Sequence, residues 1–331
     1  MAIWRGRQDD LTMKWTTMSL LMASTLPVMG AVIEVPEDQP SIQAAINIAS
    51  NGDSISVASG TWNEWLHFRG KRITVEGREG ALKTFIDGGD APTAVRFSNG
   101  ESRESILQGF TITCNGSGVL HEGLLLGAGI YIHQASPTIK HCIIRNCQAQ
   151  MGGGISVWNG NPRFEFCHLI ENQATLNGGG MLFHQNSQPE LYACEFIENH
   201  AAIHGGGLAY GNDSDGLHED CVFTGNSAGI RGGGLSKSCD CSNANLAGTS
   251  MCHNSPDHIL GTWNDLGGND LCPVCSHDVT ADGSVGVDDV LAVVSAWGGC
   301  VCVEDITGDS VVNVDDLLLV IGDFGPCPTT P

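Results

Sequence analysis

"CEFIENHAAIHGGGLAY", residues 194–210, is one copy of a unit that recurs along the chain and thereby decides the fold. Its triple glycine returns at steps of 26 or 27 residues, at Gly152–Gly154, Gly178–Gly180, Gly205–Gly207 and Gly232–Gly234. A cysteine and an asparagine keep nearly the same spacing, at Cys142, Cys167, Cys194 and Cys221 and at Asn146, Asn172, Asn199 and Asn226. Such self-similarity is typical of stacked units that cannot bury their apolar side alone. The sequence therefore predicts a solenoid.

Apolar and polar residues alternate over short runs within each unit, as in Ile155/Val157, Met181/Phe183 and Leu208/Tyr210. Period-two alternation in runs this short, interrupted by Gly, Asn and Pro, predicts short strands and tight turns and excludes helices. One coil per unit, stacked about 4.8 Å apart, would place like residues on top of like. We expect an internal column of cysteines and a turn ladder of asparagines that bond from coil to coil.

Two short motifs inside the repeat match esterase signatures. "HGGG" (204–207) matches an oxyanion-hole sequence, and "GNSAG" (225–229) fits the nucleophile elbow with Ser227 at its centre. However, Ser227 occupies the repeat position that Gln173 and His200 hold in neighbouring units. The elbow also requires a helix after the serine, and no helical pattern follows. We therefore reject the esterase interpretation.

The segment before the repeats has a different pattern of apolar residues. Ile42, Ala45, Ile46 and Ala49 have helical spacing, which predicts a short amphipathic helix that caps the open end of the stack. Through its "PSIQAAI...GDSISVASGTWNE" opening and its "C-x-F-x-x-N-x-A...GGG" coils, the chain resembles right-handed parallel β-helix proteins of the pectin-lyase-like superfamily. The predicted fold is thus an all-β solenoid over residues 31–260.

Composition limits the classes of partner. The chain has 331 residues and carries 15 Lys and Arg against 37 Asp and Glu, a net charge of -22. Nucleic acid and anionic membranes are therefore poor partners, whereas calcium is a natural one.

Residues 1–30 have the pattern of a secretory signal, with an apolar stretch from Trp15 to Gly30 and a start that fits Met13 better than Met1. We therefore expect an exported protein. Cys114, Cys142, Cys167, Cys194 and Cys221 are interpreted as buried coil residues, and the cysteines from Cys239 to Cys327 as partners in disulfides. The alternative for Cys272 and Cys275 is a zinc site with Cys239 and Cys241. Residues 261–275 are assigned to a linker.

Two twelve-residue loops, "DVTADGSVGVDD" and "DITGDSVVNVDD", begin 27 residues apart. Alternate positions of such a loop supply the hard oxygens that calcium prefers. We predict two calcium sites. The first set of ligands is Asp278, Thr280, Asp282, the Ser284 carbonyl and Asp289; the second is Asp305, Thr307, Asp309, the Val311 carbonyl, Asn313 and Asp316. Ser310 stands where Gly283 makes the sharp turn of the first loop, so the second site should be the weaker.

Each loop leads into an apolar helix pattern, Val290/Val293/Val294/Trp297 and Leu317/Val320/Ile321/Phe324. A duplicated loop and exit helix over residues 276–331 resembles the dockerin module. The resemblance implies calcium-dependent folding and docking onto cohesin domains of extracellular polysaccharide-degrading assemblies. The chain departs from it at Val287-Asp288 and Val314-Asp315, where cellulosomal dockerins commonly carry hydroxyl residues. Calcium binding is less affected by this departure than cohesin binding.

No catalytic residues are assigned. The superfamily's polyuronate enzymes use close carboxylates, or a basic residue with calcium, but the signatures N-T-D, G-H-G and R-I-K do not occur. Lys140, Arg145, Arg163 and Arg231 lie in no lyase motif, and Glu171 and Glu198 are interpreted as solvated turn residues. An outward column is predicted instead, whose rings could bind sugar faces: His133, Trp158 and His184.

The favoured hypothesis is a secreted β-helix protein that binds polysaccharide or a cohesin-like or cell-surface partner, with a calcium module for docking. The first alternative is a polysaccharide lyase or glycoside hydrolase that acts on polyuronates. The second is a calcium-dependent structural assembly. Charged residues clustered on one coil face would favour the enzyme, and the sequence shows mainly Asn, Gly and aromatics there.

Overall fold

This computed structural model describes residues 30–237, 242–272, 277, 279–280, 284–299, 304–307, 311–322 and 324–326. The predicted signal segment before Gly30 lies outside the described residues, as do Cys239, Cys241 and Cys275. None of the helices in the described part of the chain is long and apolar enough to cross a membrane.

Three long sheets of ten, nine and eight strands form the body of the protein, and each coil between the first and the last contributes one strand to each sheet. The first sheet contains Val32–Val35, Ser54–Val57, Thr74–Gly77, Ile106–Gln108, Thr138–Lys140, Arg163–Glu165, Glu190–Tyr192, Asp215–Glu219, Asn243–Ala247 and Asn264–Asp265. The second contains Gly60–Asn63, Thr84–Asp87, Thr111–Thr113, Ile143–Arg145, His168–Ile170, Glu195–Ile197, Val222–Thr224, Ser250–Cys252 and Asp270–Leu271. The third contains Leu66–His67, Val95–Phe97, Ile130–His133, Ile155–Trp158, Met181–His184, Leu208–Tyr210, Leu235–Lys237 and Ile259–Leu260.

Neighbouring strands within these sheets pair in parallel, so the chain forms the predicted β-helix solenoid. A fourth, short parallel sheet lies between the second and third in four coils, at Gln148–Ala149, Gln173–Ala174, His200–Ala201 and Ser227–Ala228. One coil carries an antiparallel hairpin, Val119–His121 and Leu124–Leu126, inserted before the third-sheet strand Ile130–His133. We call it the insertion hairpin.

The core is built from the inward residues of every strand. In the second sheet, Leu169, Phe196 and Phe223 are fully buried and lie in register. The rings of Phe196 and Phe223 stack with centroids 4.4 Å apart. This is the separation that one β-strand spacing imposes on like residues. The predicted stacking of equivalent residues is confirmed.

The cysteine column is also confirmed. Cys142, Cys167, Cys194 and Cys221 are fully buried and free, and Cys114 is a buried free thiol as expected. Burial raises the pKa of the Cys142 thiol to about 12, so it stays protonated. A sixth buried free thiol, Cys147, was missed by the sequence analysis.

The asparagine ladder forms, but one of its predicted members was wrong. Asn172, Asn199 and Asn226 are fully buried, and each amide bonds to the next coil. Asn254 continues the ladder as the acceptor of Asn226. Asn146 is exposed, and Cys147 donates its backbone N–H to Asn172 Oδ1 in its place. The cause is spacing: Asn146 follows Cys142 by four residues, whereas the other ladder residues follow their cysteines by five.

The triple glycines are required by close approach of neighbouring coils. Gly205 has a φ of 67°, a conformation that disfavours side chains. A Cβ on Gly207 would lie 2.6 Å from the carbonyl oxygen of Gly234, and one on Gly206 would overlap the carbonyl oxygen of Ser227. The "HGGG" sequence is therefore a packing feature of the solenoid.

The predicted N-terminal cap is helix α1, Ile42–Ile48. The side chain of Ser41 accepts a hydrogen bond from the N–H of Ala44, and Glu64 accepts from two further free N–H groups of the first turn. Ile42, Ala45 and Ile46 are fully buried against the first coil. The amphipathic prediction is confirmed.

The β-helix continues further than the predicted boundary at residue 260. Asn264–Asp265 and Asp270–Leu271 pair with the preceding coil, so the last coil enters the segment assigned to a linker. These strands end the first and second sheets in the described part of the chain, and their residues show no apolar alternation, so the sequence did not predict them. Cys272 is bonded to Cys252, which removes it from the alternative zinc site and supports the disulfide interpretation.

The C-terminal module contains helices α2, Val287–Ser295, and α3, Val314–Gly322, which pack against each other. Four two-residue strands join its halves crosswise: Ser284–Val285 pairs with Gly325–Pro326, and Gly298–Gly299 pairs with Val311–Val312. The small core has equivalent residues from both halves, namely Val285 and Val312, and Val293 and Val320. The 27-residue duplication thus yields one unit in which each half completes the other.

Candidate functional site

The outward face of the first sheet carries clustered charges. Arg163 lies beside Glu190, and Glu165 beside Tyr192, in the register of adjacent strands. The Arg163 guanidinium approaches Glu165 Oε1 to 2.5 Å and lies 4.4 Å from the centre of the Tyr192 ring. Arg103, from the loop before Ile106–Gln108, donates to both oxygens of Glu190 at 2.8 Å. This charged cluster was not predicted from the sequence, in which we expected mainly Asn, Gly and aromatics on the coil faces.

The carboxylates of this face form ion pairs with neighbouring arginines, Glu190 with Arg103 and Glu165 with Arg163. Hydrogen bonds from Arg103 hold the pKa of Glu190 below its usual value, although burial acts in the opposite direction. Glu190 therefore remains ionised at neutral pH. Glycoside hydrolysis requires a carboxylic acid whose pKa is raised so that it can protonate the leaving group. The charges of this face favour a rigid polar surface over an acid and base pair.

A column of left-handed turn residues joins the first and second sheets. We call it the turn column: Gly109, His141, Phe166, Ala193 and Asp220, all with positive φ. Each donates its N–H to the carbonyl at the end of the next first-sheet strand, as Phe166 does to Tyr192. The rings of His141 and Phe166 are parallel within 3° with centroids 5.0 Å apart, and both residues are exposed. The next residue of the column, Ala193, carries only a methyl group, and Phe166 is 50% exposed.

The predicted column of His133, Trp158 and His184 forms in register on the third sheet. The rings of Trp158 and His184 stack with centroids 4.3 Å apart. The column is not the exposed strip that the sequence analysis expected, because Trp158 is only 7% exposed. The insertion hairpin covers it, and Leu126 of that hairpin is itself fully buried. An insertion from an earlier coil gives no signal at the positions it will cover.

The hairpin adds His121 to this site. Its ring lies 4.9 Å from His133 and 4.6 Å from Trp158, and its Nδ1 is 3.1 Å from Tyr131 Oη. We call these residues the histidine cluster: His121, Tyr131, His133, Trp158 and His184. Burial lowers the pKa of His133 and of His184, and it raises the pKa of Tyr131 to about 12. His133, His184 and Tyr131 are therefore uncharged at neutral pH.

Ser227, the serine of the rejected elbow, lies in the short fourth sheet. Its Oγ is 2.9 Å from Nδ1 of His200, its register neighbour on the preceding coil. The N–H groups of Ser227 and Ala228 already bond to Asn199 and Ser255 carbonyls, so neither is free to stabilise an oxyanion. The contact between Ser227 and His200 is a side-chain pair between adjacent strands of the fourth sheet. This agrees with the rejection of the esterase interpretation.

The remaining charged residues singled out from the sequence are dispersed. Glu171 and Glu198 occupy exposed left-handed turn positions, as expected for solvated turn residues. Lys140 lies on the first sheet beside Glu165, Arg145 is exposed at the end of a second-sheet strand, and Arg231 pairs with Asp257 at 2.5 Å. The structure does not bring these basic residues together.

The first predicted calcium loop closes around its last carboxylate. Asp289 is fully buried; its Oδ1 accepts from the N–H and hydroxyl of Thr280 at 2.9 Å, and its Oδ2 accepts from the N–H of Gly286 at 2.7 Å. Ser284 begins the short strand of this half. Asp278 and Asp282 lie outside the described residues.

The second loop repeats this arrangement. Asp316 is fully buried and accepts from the N–H groups of Thr307 and Asn313 at 2.9 and 2.8 Å. Asp305 lies near the Thr307 hydroxyl, and the Val311 carbonyl accepts from the Asn313 amide. Asp309 lies outside the described residues. Burial would raise the pKa of Asp316, but the backbone N–H bonds outweigh it and lower that pKa.

The donor set suits calcium, because carboxylate, hydroxyl and carbonyl oxygens at alternate loop positions are the hard ligands it takes. Within the described ranges, no group of three or more His, Cys, Asp or Glu side chains is placed to hold a metal ion. Three predicted carboxylate ligands, Asp278, Asp282 and Asp309, fall outside those ranges. The two calcium sites therefore stay a prediction.

The helices of the module turn apolar side chains outward. Val293 and Val320 are buried as the helical spacing predicted, whereas Val294 and Trp297 are about half exposed. Exposed apolar residues occur at equivalent positions of both helices: Val287, Leu291 and Val294 on α2, and Val314, Leu318 and Ile321 on α3. The apolar face of each helix is therefore wider than the part that is buried in the small core.

Residues 93–250 match the family model described as "Right handed beta helix region". The right-handed parallel β-helix predicted from the sequence is thus confirmed, whereas the dockerin resemblance of the C-terminal module stays a prediction. No curated protein sequence matches this chain.

Among solved structures, the chain is similar to pectin methylesterases. One from carrot is 12% identical with a TM-score of 0.41, covering 73% of this chain and 87% of that one. One from Erwinia chrysanthemi is 12% identical with a TM-score of 0.41, covering 71% and 80%. A third, in complex with a hexasaccharide, is 13% identical with a TM-score of 0.42, covering 71% and 80%. We draw neither an activity nor a substrate from a likeness of this degree.

Proposed function

We propose that this chain is a secreted β-helix protein that binds polysaccharide at its turn column and is anchored to a partner by a calcium-dependent C-terminal module. The observation that carries the binding function is the exposed, parallel ring pair of His141 and Phe166, beside which the next residue of the column, Ala193, carries only a methyl group. Aromatic rings offer flat apolar faces that suit the C–H face of a sugar ring. A sugar over Ala193 would continue the stack.

The neighbouring first-sheet face supports this function by supplying polar groups beside the ring. Glu165 and Tyr192 are half-buried, directly precede Phe166 and Ala193 in the chain, and end the strands that lead into the turn column. Their positions suit hydrogen bonds to sugar hydroxyl groups. The ion pairs of Arg103 and Arg163 hold Glu190 in one geometry, which lowers the entropy cost of ordering this surface on binding.

Charge supports calcium-dependent folding of the module. Residues 276–331 contain ten Asp and Glu residues and no Lys or Arg. A unit this small with one sign of charge is destabilised by self-repulsion. Bound calcium ions would offset that repulsion, and Asp278, Asp282, Asp305 and Asp309 would supply ligands without a competing cation in the module.

The docking role rests on the exposed apolar residues of α2 and α3. They occur in equivalent positions of two helices that contact each other, and acidic residues such as Asp288 and Asp315 accompany them. A partner with an apolar surface and basic residues around it would match this surface. We therefore propose a protein partner for the module and a polysaccharide for the β-helix.

Affinity electrophoresis in gels that contain pectin, pectate or alginate tests the binding function. We expect retardation of the wild-type chain and, for Phe166→Ala, a roughly tenfold weaker affinity, since a ring contact contributes about 1–1.5 kcal/mol. Trp65→Ala is the matched control, because Trp65 is 54% exposed and Phe166 is 50% exposed. If pectin, pectate and alginate all failed to retard the wild-type chain, the proposal would be contradicted. It would also be contradicted if Phe166→Ala bound as tightly as the wild type.

The same polysaccharides test the enzymatic alternative. Absorbance of unsaturated uronates and the appearance of new reducing ends report elimination and hydrolysis. Cleavage that is lost in a Glu165→Gln variant would replace the binding function with catalysis at the first-sheet face.

A further inference from the structure

The insertion hairpin is a weakly held element over a buried polar cluster. Its turn residues, Glu122 and Gly123, both have positive φ, which is the geometry of a tight two-residue hairpin. An isolated two-stranded hairpin is marginally stable in water. Its order therefore depends on what it packs against, which is the outward face of the third sheet.

The two strands of the hairpin are held differently. The second strand bonds to the coil through its backbone, because Leu125 accepts from the N–H groups of Gln150 and Met151. The first strand and the tip rely on side chains. Val119 is half-buried against the cluster, and His121 makes the ring contacts with His133 and Trp158 and the bond to Tyr131. The tip can leave the sheet without breaking the coil.

Two buried ring nitrogens of this site have no hydrogen-bond partner among the described residues. They are Nε2 of His121 and Nδ1 of His184, and both are buried. A protonated imidazole must donate from both nitrogens. Charging either ring under the closed hairpin would leave a buried N–H donor without an acceptor, which is costly at low local dielectric.

The charged groups that face the cluster act in opposite directions: Arg96 disfavours protonation of His133, and Glu122 favours protonation of His133 and His184. From the third sheet, Arg96, Tyr131, His133 and His184 face it, and the Arg96 guanidinium lies 5.7 Å from the centre of the Tyr131 ring. From the hairpin, His121 and Glu122 face it. Glu122 is the one carboxylate among these groups and is exposed at the turn. Arg96 and each newly charged imidazole repel the next one.

We propose that the insertion hairpin is a pH-sensitive lid, closed over Trp158 and Tyr131 while His133 and His184 are neutral and released when they are protonated. Unlike the proposed function, this device involves the third sheet and not the turn column. The sign follows from the histidines: burial lowers the pKa of His133 and of His184 in the closed form. The closed form therefore has its full stability above about pH 6.5, the value of a free imidazole, and loses it as the pH falls below that value. Release exposes the stacked rings of Trp158 and His184.

Hydrogen exchange of the full chain, followed by mass spectrometry at pH 7.5 and 5.0, tests the lid. Rates in peptides that cover residues 117–127 are divided by those of an unstructured reference, which removes the intrinsic pH effect. We expect protection of this segment to fall at pH 5.0, because protons bind the histidines of the released form more tightly than those of the closed form. Protection of the strand Ile155–Trp158 should not change.

Variants separate titration of the cluster from general acid effects. His133→Gln with His184→Gln should keep the hairpin protected at both pH values, and His133→Lys should release it at pH 7.5. His168→Gln is the control, because His168 is half-exposed on the second sheet and pairs with Glu195 instead. Equal wild-type protection at pH 7.5 and 5.0 would overturn the lid, and so would a full pH response in the double variant.

Discussion

The asparagine ladder allows the sharpest test of stability, because the sequence predicted Asn146 as a member and the structure excludes it. Replacing Asn199 by Ala removes four hydrogen bonds. The amide donates to the carbonyl of Leu169 at 2.8 Å and to Asn226 Oδ1 at 2.9 Å, and it accepts from the backbone N–H and the side chain of Asn172 at 3.0 Å. Asn199 is fully buried, so water cannot replace these partners. We expect a large loss of stability.

The magnitude follows from the groups left behind. The Asn172 N–H becomes unsatisfied, at about 1–3 kcal/mol, and the Leu169 carbonyl, the Asn172 amide and the Asn226 amide each lose a side-chain hydrogen bond as well. The free energy of unfolding should fall by about 3–5 kcal/mol. Asn146→Ala should change it by less than about 0.5 kcal/mol, since Asn146 is exposed and Cys147 occupies its ladder position.

Urea unfolding followed by circular dichroism measures both variants, with the m-value checked for a constant exposed surface. Equal losses in Asn199→Ala and Asn146→Ala would refute the assignment of the ladder. A loss below about 1 kcal/mol for Asn199→Ala would refute the argument from buried unsatisfied groups.

Three further changes test other parts of the molecule. Gly216→Ala should cost about 2–4 kcal/mol in urea unfolding, because its Cβ would overlap Tyr210 Oη and break the 2.7 Å bond to His218. Burial lowers the pKa of His218 to about 3, so its contribution is complete above about pH 6.5 and lost below it. Between pH 7 and 4.5, the free energy of unfolding of His218→Phe should therefore fall by about 2–3 kcal/mol less than that of the wild type. An unchanged pH dependence would exclude His218 as the cause of the loss of stability at low pH. Calorimetry of the full chain should show two calcium-binding events. Asp289→Asn and Asp316→Asn should each show one event. Two events in both variants would contradict the prediction that these two loops bind calcium.

The candidate sites were less predictable than the fold. The register of His133, Trp158 and His184 follows from the repeat, but their burial does not, because it depends on where the insertion hairpin lies. The charged face could have been found in part, since Arg163 and Glu190 flank inward apolar residues one repeat apart. Arg103 could not, because it reaches Glu190 from 87 residues away through a loop outside the repeat.

The ring pair of His141 and Phe166 shows a second limit. Both follow the last residue of a first-sheet strand, so the sequence contains their alignment. Their exposure and their parallel rings depend on the left-handed turn that each adopts, and neither residue type favours that conformation. Propensity alone would have placed glycine or asparagine there.

What the sequence determined by itself was everything that repeats. A solenoid stacks identical units, so a residue's place in its unit sets its inward or outward direction and its neighbours one coil away, and the period carries this information. The tertiary structure decided what breaks the pattern: Cys147 in the ladder position where an asparagine was expected, the hairpin that covers Trp158, and the side chain of Arg103 that crosses the first sheet to Glu190. Non-repeating segments pack by contact with distant surfaces, and no local pattern encodes that contact.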